Sequence, residues 1–364
     1  MLTALSPHAA GFATWHPKAS SLSDVRVLPI NSACSKILSA VRLPYLSRLF
    51  GRASLRAAIH DPSVSAICCH YVNLATSLAS VWKGSEKPLL VHAHGYDVTW
   101  DYRLPRRPHV RIFSGKYVER VRKLSERAYF LANSQCTAER LRAIGIPAER
   151  IVIKYLGVPV PDHPVTRPEN RAIQILFLGR LVNFKGPEQT LRAFELACRD
   201  GLQAKLVMAG DGPLRASCEK IRRESPFADR IQILGSVDAM KGEQLRRQSS
   251  IFTAHNQKCC VTNQEEAYGV SVVEAMASGL PVITGRNGGV CETVVHGETG
   301  LLFQPGDVAA HARGLLELAA KPNRCERLGD AGFRRAKKVF SIEAERATWS
   351  EILDRIGVAS EASS

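Results

Sequence analysis

The amino-acid sequence predicts an α/β protein with two Rossmann-like, doubly wound parallel-sheet domains that face each other across a cleft. The chain has 364 residues, which is too many for one ordinary hydrophobic core. Short apolar segments alternate with helical segments in both halves, as parallel sheets covered by helices require. Between the halves, four prolines within residues 157–170 prevent a helix and mark a linker.

The second half of the chain has the more regular pattern. Its apolar segments are continuous rather than alternating, which is typical of parallel strands buried on both faces. The predicted strands cover residues 173–179, 205–210, 231–235, 251–255, 280–284 and 300–303. Helices are predicted from Pro187, from Leu214, around 243–248 and over 270–278, the last ending at Gly279.

The first half alternates in the same way but less clearly. Its strands are predicted at 66–71, 89–95, 129–134 and 150–157, and the first strand of the chain is predicted at 26–30. The predicted division is an N-terminal domain at 1–160, a linker at 161–172, a C-terminal domain at 173–340, a helix at 341–357 that crosses back to the first domain, and a tail at 358–364. Such sheets bind ligands beyond the carboxyl ends of their strands, so functional residues are expected directly after strands.

Positive charge is concentrated in the first half. Residues 1–165 contain 22 Lys and Arg against 10 Asp and Glu, in a chain with a net charge of +15. This imbalance predicts an anionic partner, for example a membrane surface or an acidic substrate; the alternative is a solvated basic surface. Residues 35–60 fit either an anionic membrane surface or a helix packed under the sheet. Nucleic acid is not expected, because the basic residues form no recognised binding module.

The composition excludes several other classes of protein. There is no run of about 20 apolar residues, so no membrane-spanning helix is predicted. Residues 1–18 lack the basic start and apolar core of a signal peptide. The ten cysteines match neither a zinc motif nor a disulfide framework, which indicates reduced thiols in a cytosol.

A loop with two basic residues follows the first predicted strand of the second half. Residues 179–186, GRLVNFKG, contain Arg180 and Lys185 between two glycines. At the carboxyl end of a parallel strand and next to a helix N-terminus, an Arg fork and a Lys point charge suit a diphosphate. A basic loop that faces water explains this segment equally well when it is taken alone.

Residues 265–289, EEAYGVSVVEAMASGLPVITGRNGG, place Glu266 before a predicted helix and Glu274 one turn into it. The first N–H groups of that helix form an anion site. Glu274 is predicted to accept hydrogen bonds from ribose hydroxyls, and Glu266 to face a second polyhydroxyl group beyond the phosphates. The alternative is that Glu274 lies on an exposed face and Glu266 interacts with the helix dipole.

These segments belong to an ordered set of motifs. The set consists of HAHGYDV (92–98), ANSQCTAERLRAIGIPAERIVIKYLGV (132–158), FLGRLVNFKGPEQTLRAF (177–194), MAGDGPLR (208–215), ILGSV (233–237) and the stretch from Glu265 to Asp307. In this order and spacing the sequence resembles the retaining family 4 glycosyltransferases of the GT-B fold, from about residue 88 to its end. It is most similar to members that build exopolysaccharide or lipopolysaccharide.

The resemblance implies a role for each matched residue. Arg180 and Lys185 would hold the donor's diphosphate and neutralise the charge that develops as the nucleotide leaves. Glu274 would bind the ribose and Glu266 the hydroxyls of the donor sugar. His94 would contact that sugar from the first domain. Backbone amides at Gly269, Val270 and Ser271 would make further contacts with the donor. The nucleotide base would lie near the stretch from Gly235 to Val237.

The resemblance also implies the reaction. A sugar would move from a nucleotide-diphosphate sugar to a glycan or lipid-linked acceptor with retention, by front-face attack in which the leaving phosphate accepts the acceptor's proton. No metal cluster and no cofactor are expected, because basic residues and a helix dipole take the place of a divalent cation. His92 is expected to support the strand. The expected location is the cytoplasm, at the inner face of the cell membrane, in surface polysaccharide assembly.

The start of the chain departs from the family's pattern. The first 25 residues lack the expected strand, glycine-rich loop and helix. The first domain is therefore expected to be shortened, with the missing unit encoded upstream; the alternative is that the acceptor side of this domain is remodelled. The alternative function is a catalytically inactive subunit that binds a nucleotide sugar and partners another transferase. A nucleotide-sugar epimerase of similar fold is disfavoured by the motifs.

Overall fold

The computed structural model describes residues 12–14, 27–29, 55–57, 59–62, 64–104, 107–111, 113, 115–167 and 172–358. This part of the chain contains two parallel sheets flanked by helices, together with two pairs of short strands. Most of residues 35–60, the segment that fits either a membrane surface or a helix packed under the sheet, lies outside the described residues. Within the described residues, no helix combines the length and apolar character that crossing a bilayer requires.

Two short strands come first along the chain. β1 (Phe12–Thr14) and β2 (Val27–Pro29) pair in parallel. The strand predicted at 26–30 is confirmed as β2, but the expectation that it is the first strand of the chain is wrong, since β1 precedes it. The three residues of β1, Phe-Ala-Thr, include only one large apolar side chain, so this strand lacks the apolar run by which the other short strands were recognised. The shortening of the first domain stays a prediction.

The first half of the chain forms a four-stranded parallel sheet. Its strands are β3 (Ile67–His70), β4 (Leu89–Ala93), β7 (Ala128–Ala132) and β8 (Ile151–Ile153), in the order β3-β4-β7-β8. A separate antiparallel pair consists of β5 (Arg103–Leu104) and β6 (Arg107–Arg111). The helices whose bounds the structure describes in this half are α1 (Val72–Ser77), α2 (Ala79–Trp82), α3 (Gly115–Ser125) and α4 (Gln135–Ala143). The central strand β4 is buried at all five positions, because helices cover both faces of a parallel sheet.

The second half forms a six-stranded parallel sheet. Its strands are β9 (Ile173–Leu178), β10 (Ala204–Ala209), β11 (Ile231–Gly235), β12 (Ile251–Ala254), β13 (Val282–Gly285) and β14 (Leu301–Phe303). The strand order is β11-β10-β9-β12-β13-β14, so the direction of the connections reverses between β9 and β12. Open parallel sheets bind ligands at such a reversal, beyond the carboxyl ends of the strands.

Helices connect the strands of the second sheet and end the chain. They are α5 (Pro187–Arg199), α6 (Arg215–Glu224), α7 (Ala239–Gln248), α8 (Val270–Ala277), α9 (Val290–Thr293), α10 (Val308–Ala320), α11 (Pro322–Val339) and α12 (Ile342–Arg355). The strands and helices predicted for this half are confirmed within a few residues. In the first half, the strand predicted at 150–157 is shorter and ends at Ile153.

The last helix, α12, packs against the sheet of the first half. Its side chains Trp349, Ile352 and Leu353 form one apolar cluster with Leu90 of β4 and Leu131 of β7. Ser341 caps the start of this helix, and its hydroxyl accepts the backbone N–H of Ala344 at 3.1 Å. The two sheets are thus linked both by the chain between them and by this helix.

Candidate functional site

A cavity of about 540 Å³ lies between the two sheets, at the carboxyl ends of their strands. Residues from both halves of the chain line it. The lining includes most of the predicted site residues, namely His94, Arg180, Lys185, Val237, Glu266, Val270, Ser271 and Glu274. The predicted residues Gly235 and Gly269 do not line it. Gly235 ends β11, and Gly269 directly precedes α8. The roles assigned to all these residues stay predictions.

The two predicted phosphate ligands follow β9. Lys185 ends a single 3-10 turn, Asn183–Lys185, and its ammonium forms an ion pair with the Glu266 carboxylate. The Arg180 guanidinium lies 5.6 Å from the centre of the Phe184 ring, so it is held over an aromatic face. Both cations therefore point into the cavity from one short loop.

The backbone after Lys185 turns in a way that only glycine permits. Gly186 has a φ of 60°, and a Cβ atom there would lie 2.2 Å from the carbonyl oxygen of His255. This close approach brings the loop after β9 against the loop after β12. It also sets the start of α5 at Pro187, whose ring fits the first position of a helix.

The start of α8 is the second component of the cavity. Glu266 lies before the helix, and its Oε1 accepts the N–H of Gly269 at 3.1 Å. One Glu266 oxygen thus binds the helix N-terminus, and the other, Oε2, pairs with Lys185. Val270 and Ser271 begin the helix at the wall of the cavity. A helix start, a carboxylate and two cations in one cleft form a polar site that suits a ligand with phosphates and hydroxyl groups.

Glu274 is held by a basic residue that the sequence did not single out. Its Oε2 accepts from Nη1 of Arg246, on α7, at 3.0 Å. Burial raises the pKa of the Glu274 carboxyl, and the charges of Arg246 and Lys185 oppose this shift. The Glu274 side chain stays 31% exposed, toward the cavity. Arg246 belongs to the basic run RRQ of α7, and nothing in that run distinguishes it from its neighbours.

On the opposite wall, His94 follows β4. Its Nε2 lies 3.0 Å from Nδ1 of His70, the last residue of β3. Its backbone N–H donates to the carboxylate of Asp97 at 2.9 Å. Burial, with smaller effects from His70 and Lys154, lowers the pKa of His94 to about 3, so the ring is neutral at pH 7. A neutral imidazole at this position can donate or accept a hydrogen bond but carries no charge.

His92 completes a cluster of three histidines with His70 and His94. One ring nitrogen from each lies within 4.8 Å of the other two. The expectation that the chain has no cluster of metal-ligating side chains is therefore wrong. It failed because His70 lies on a different strand, and β3 and β4 become neighbours only in the folded sheet. Whether the reaction uses a metal ion stays untested by this geometry.

Several contacts cross the cleft and hold its walls together. Arg140 of α4 forms an ion pair with Glu265. The Glu292 carboxylate accepts the backbone N–H groups of Gln135 and Cys136, at 2.7 Å and 2.9 Å. These two groups begin α4, where the helix dipole favours a negative charge. The sequence did not predict these contacts, because they join residues more than 120 positions apart.

Buried histidines predict how stability depends on pH. Burial, as the main cause, lowers the pKa of His70 and of His255 to about 4. Burial also lowers the pKa of His311 well below its usual value. These rings are neutral in the folded state. In the unfolded chain they take up a proton as the pH falls through about 6.5. The unfolded state therefore binds more protons below pH 6.5, and the free energy of unfolding is expected to fall by up to about 1.4 kcal/mol per pH unit for each group.

Urea unfolding at pH 7.5, 6.5 and 5.5 measures this dependence. We expect little change attributable to histidine above pH 7 and a steep loss of stability below pH 6.5. Replacing exposed His163 with alanine provides the control and should leave the slope unchanged. Stability that is constant or rises between pH 6.5 and 5.5 would contradict the neutral state of the buried rings.

Two family models match the sequence. The model described as glycosyl transferases group 1 matches residues 162–335, and the model described as glycosyl transferase 4-like domain matches residues 7–157. The two matches meet at the segment between the two sheets. They therefore divide the chain into the same two halves as the structure.

Individual proteins are similar to the chain as well. A 2-deoxystreptamine N-acetyl-D-glucosaminyltransferase from Niallia circulans is 32% identical over 139 residues, which are 38% of this chain and only 34% of that protein. A GDP-mannose-dependent alpha-(1-6)-phosphatidylinositol monomannoside mannosyltransferase from Mycobacterium tuberculosis is 26% identical over 281 residues, 70% of each chain. The structure of Anabaena HepE in complex with UDP and glucose has a TM-score of 0.72 at 18% identity and covers 96% of this chain and 94% of that chain. This likeness confirms the predicted fold class.

Proposed function

We propose that this chain, which belongs to a glycosyltransferase family with the GT-B fold, is a retaining, metal-independent transferase of family 4. It transfers a sugar from a nucleotide-diphosphate sugar to a glycan or lipid-linked acceptor. The observation that carries the proposal is the arrangement of the cleft. Two cations, two carboxylates and a helix start on one wall face a neutral histidine on the other.

The proposal assigns the donor to the wall formed by the second sheet. The diphosphate lies against Arg180, Lys185 and the start of α8, where an Arg fork, a Lys charge and backbone N–H groups all favour anionic oxygens. Glu274 accepts hydrogen bonds from the ribose, and Glu266 accepts them from the sugar. The ion pairs that these carboxylates now make with Arg246 and Lys185 hold them in place before the donor arrives.

The chemistry follows from these positions. The bond between the anomeric carbon and the phosphate oxygen breaks, and negative charge accumulates on the departing diphosphate. Arg180 and Lys185 stabilise that charge from fixed positions in the cleft. The acceptor hydroxyl attacks the anomeric carbon from the same face, and its proton passes to the leaving phosphate oxygen, so configuration is retained. His94 contacts the sugar as a hydrogen-bonding group and carries no charge in this step.

The acceptor and the location are proposed from the charge and from the relatives. The first half of the chain holds the basic excess, and a basic surface attracts an anionic membrane. The mycobacterial relative is named for a phosphatidylinositol-linked acceptor. We therefore place the protein in the cytoplasm at the inner membrane face, where it acts on a lipid-linked or glycan acceptor in surface polysaccharide assembly.

A screen of nucleotide sugars tests this function. UDP-, GDP- and ADP-sugars are added separately, and the shift of the melting temperature is measured; a ligand at 100 times its Kd adds about 2.7 kcal/mol of stability. The donor that binds is then tested for hydrolysis and for transfer in the presence of EDTA. Turnover that is lost in EDTA and restored by magnesium or manganese would contradict metal independence. Binding without any turnover would instead support the inactive subunit.

Replacing Glu274 with alanine is expected to weaken donor binding by about 10- to 100-fold, because a hydrogen bond to a charged acceptor contributes about 1.5–3 kcal/mol. Donor affinity is measured by calorimetry, and circular dichroism checks that the fold is intact. Glu243→Ala is the matched control, since Glu243 is an exposed glutamate with an arginine partner in the same half of the chain. Equal donor affinity in Glu274→Ala and the control would remove the ribose contact from the proposal.

A further inference from the structure

The histidine cluster has a feature that the proposed reaction does not use. His92 is fully buried, and both of its ring nitrogens lack a hydrogen-bond partner among the described residues. A buried polar group without a partner destabilises the folded state, and native structures contain few of them. His92 of β4 pairs with His70 of β3, and its ring centre lies 5.2 Å from that of His70 and 4.5 Å from that of His94. The unpartnered nitrogens therefore lie within a group of other potential ligands.

The distances within the cluster are close to those of a metal site. Nδ1 of His70 and Nε2 of His94 are 3.0 Å apart, and the chosen nitrogens of all three rings lie within 4.8 Å of one another. In a tetrahedral zinc site the Zn–N bonds of about 2.0–2.1 Å leave neighbouring ligand atoms roughly 3.3 Å apart. The His70–His94 pair is thus already near that spacing.

The backbone that carries the histidines is fixed. The Asp97 carboxylate accepts the N–H of Val72 at 2.7 Å and that of His94 at 2.9 Å, and so joins the segments that follow β3 and β4. Tyr71, between His70 and Val72, has a φ of 72°, a conformation that non-glycine residues rarely adopt. Such strain persists only where the surrounding structure maintains it, often at binding sites.

We propose that His70, His92 and His94 bind one divalent transition-metal ion, of which Zn²⁺ is the representative. Three imidazoles with one open position form the ligand set of an accessible zinc site, and imidazole nitrogen suits Zn²⁺, Co²⁺ and Ni²⁺. The open position faces the cleft, because His94 and Tyr71 line it. Mg²⁺ prefers oxygen ligands and does not bind here. The nearby cation Lys154 is paired with Glu345, which limits its repulsion of the ion.

The site has a consequence for the transferase, which rests on the proposed function. An ion bound through His94 removes that ring from the donor sugar. Zn²⁺ therefore inhibits transfer, and a chelator restores it, in contrast to the behaviour of a metal-dependent transferase. The binding measurement below needs no activity, so a failure of the proposed function leaves the metal site testable by itself.

Titration with Co²⁺ alone tests the site, since a cobalt ion with three nitrogen ligands absorbs visible light. The protein is first alkylated at its thiols, so that no cysteine contributes. We expect one equivalent of Co²⁺ to bind, Zn²⁺ to displace it, and Mg²⁺ at millimolar concentration to have no effect. Loss of a residue that only hydrogen-bonds to a metal ligand lowers metal affinity by roughly 10- to 100-fold. His70→Asn and His92→Leu each remove a ligand, and each should weaken Co²⁺ binding by more than that. His163→Ala, at an exposed position, is the matched control and should bind normally.

A second measurement on the unaltered chain guards against variants that fail to fold. In ¹⁵N spectra of the imidazoles, Zn²⁺ should shift the signals of three histidines, assigned by the variants that fold. Absence of visible Co²⁺ absorption would overturn the proposal. So would shifts confined to other histidines, or normal Co²⁺ binding by folded His92→Leu. If Zn²⁺ shifts no imidazole signal, the metal site is refuted as well. A buried water would then be the partner of His92.

Discussion

Replacing Lys185 with alanine is expected to lower kcat by about 100- to 1,000-fold while the donor Kd changes much less. The leaving diphosphate gains negative charge only in the transition state, so the Lys185 ammonium contributes most at that point. Removal of one such fixed donor costs other enzymes about 2.7–4 kcal/mol of transition-state stabilisation. The same reasoning applies to Arg180, whose guanidinium enters the cavity from the same loop.

The structure explains why Lys185 is suited to this role. Its side chain is only 13% exposed and is held by the Glu266 carboxylate, which is 11% exposed. A charge that is already oriented needs no rearrangement when the transition state forms. The Gly186 turn fixes the position of the loop, because no larger residue fits against His255. Lys185→Arg keeps the charge but changes its shape, and is expected to recover activity only in part.

The measurement separates binding from chemistry. Donor Kd is obtained by calorimetry and kcat by steady-state transfer at saturating donor, and a single-turnover experiment reports the chemical step separately. Lys205→Ala serves as the matched control, because Lys205 is an exposed lysine on β10 of the same sheet. Equal losses in donor affinity and in kcat would show that Lys185 only binds the ground state, and would contradict its electrostatic role.

The second sheet was predictable from the sequence because its central strands are buried on both faces. β9 and β10 read as continuous apolar segments, and both end at glycine-containing loops. β1 was missed, since its three residues, Phe-Ala-Thr, include only one large apolar side chain and form no apolar run. The strand predicted at 150–157 was too long. The strand ends at Ile153, and the next residue, Lys154, forms an ion pair with Glu345 of α12. The local sequence gives no signal of this tertiary contact.

The candidate site was predicted only where its residues share a segment with a structural signal. Arg180 and Lys185 follow a strand, and Glu266 and Glu274 flank a helix start, so the sequence could identify them. Arg246 could not be identified, because it becomes a partner of Glu274 only when α7 and α8 pack together. The same holds for the histidine cluster. His92 and His94 share one motif, whereas His70 joins them through the pairing of β3 with β4.

Replacing Glu345 with alanine is expected to lower the free energy of unfolding by about 3–5 kcal/mol, which is a large part of the stability of most proteins. Glu345 of α12 forms an ion pair with Lys154, and the two side chains are 2% and 1% exposed. Its Oε2 also accepts the N–H of Gly157 at 2.8 Å. Without the carboxylate, the lysine ammonium remains buried against the Trp349 ring, 5.0 Å from its centre, with no opposite charge.

The loss is expected to depend on pH, and its sign follows from the lysine. Burial lowers the pKa of Lys154, and the charge of Glu345 opposes that shift. In Glu345→Ala the charge that raises the pKa of Lys154 is absent. The pKa of Lys154 in the folded state therefore falls further below its value near 10.4 in the unfolded chain. The unfolded state then binds more protons, and stability rises with pH until the unfolded lysine also loses its proton. The variant should therefore be less destabilised at pH 9 than at pH 7.

Urea unfolding of matched variants at both pH values tests this account. Glu351→Ala removes an exposed glutamate from the same helix and should change stability by less than about 0.5 kcal/mol. The double variant Lys154→Met, Glu345→Leu replaces the pair by apolar groups and should recover most of the loss, because no buried charge remains. A double variant as unstable as Glu345→Ala would show that the loss comes from the packing of α12 on the first sheet. Equal destabilisation of Glu345→Ala at pH 7 and pH 9 would contradict a charged, unpaired Lys154 as its cause.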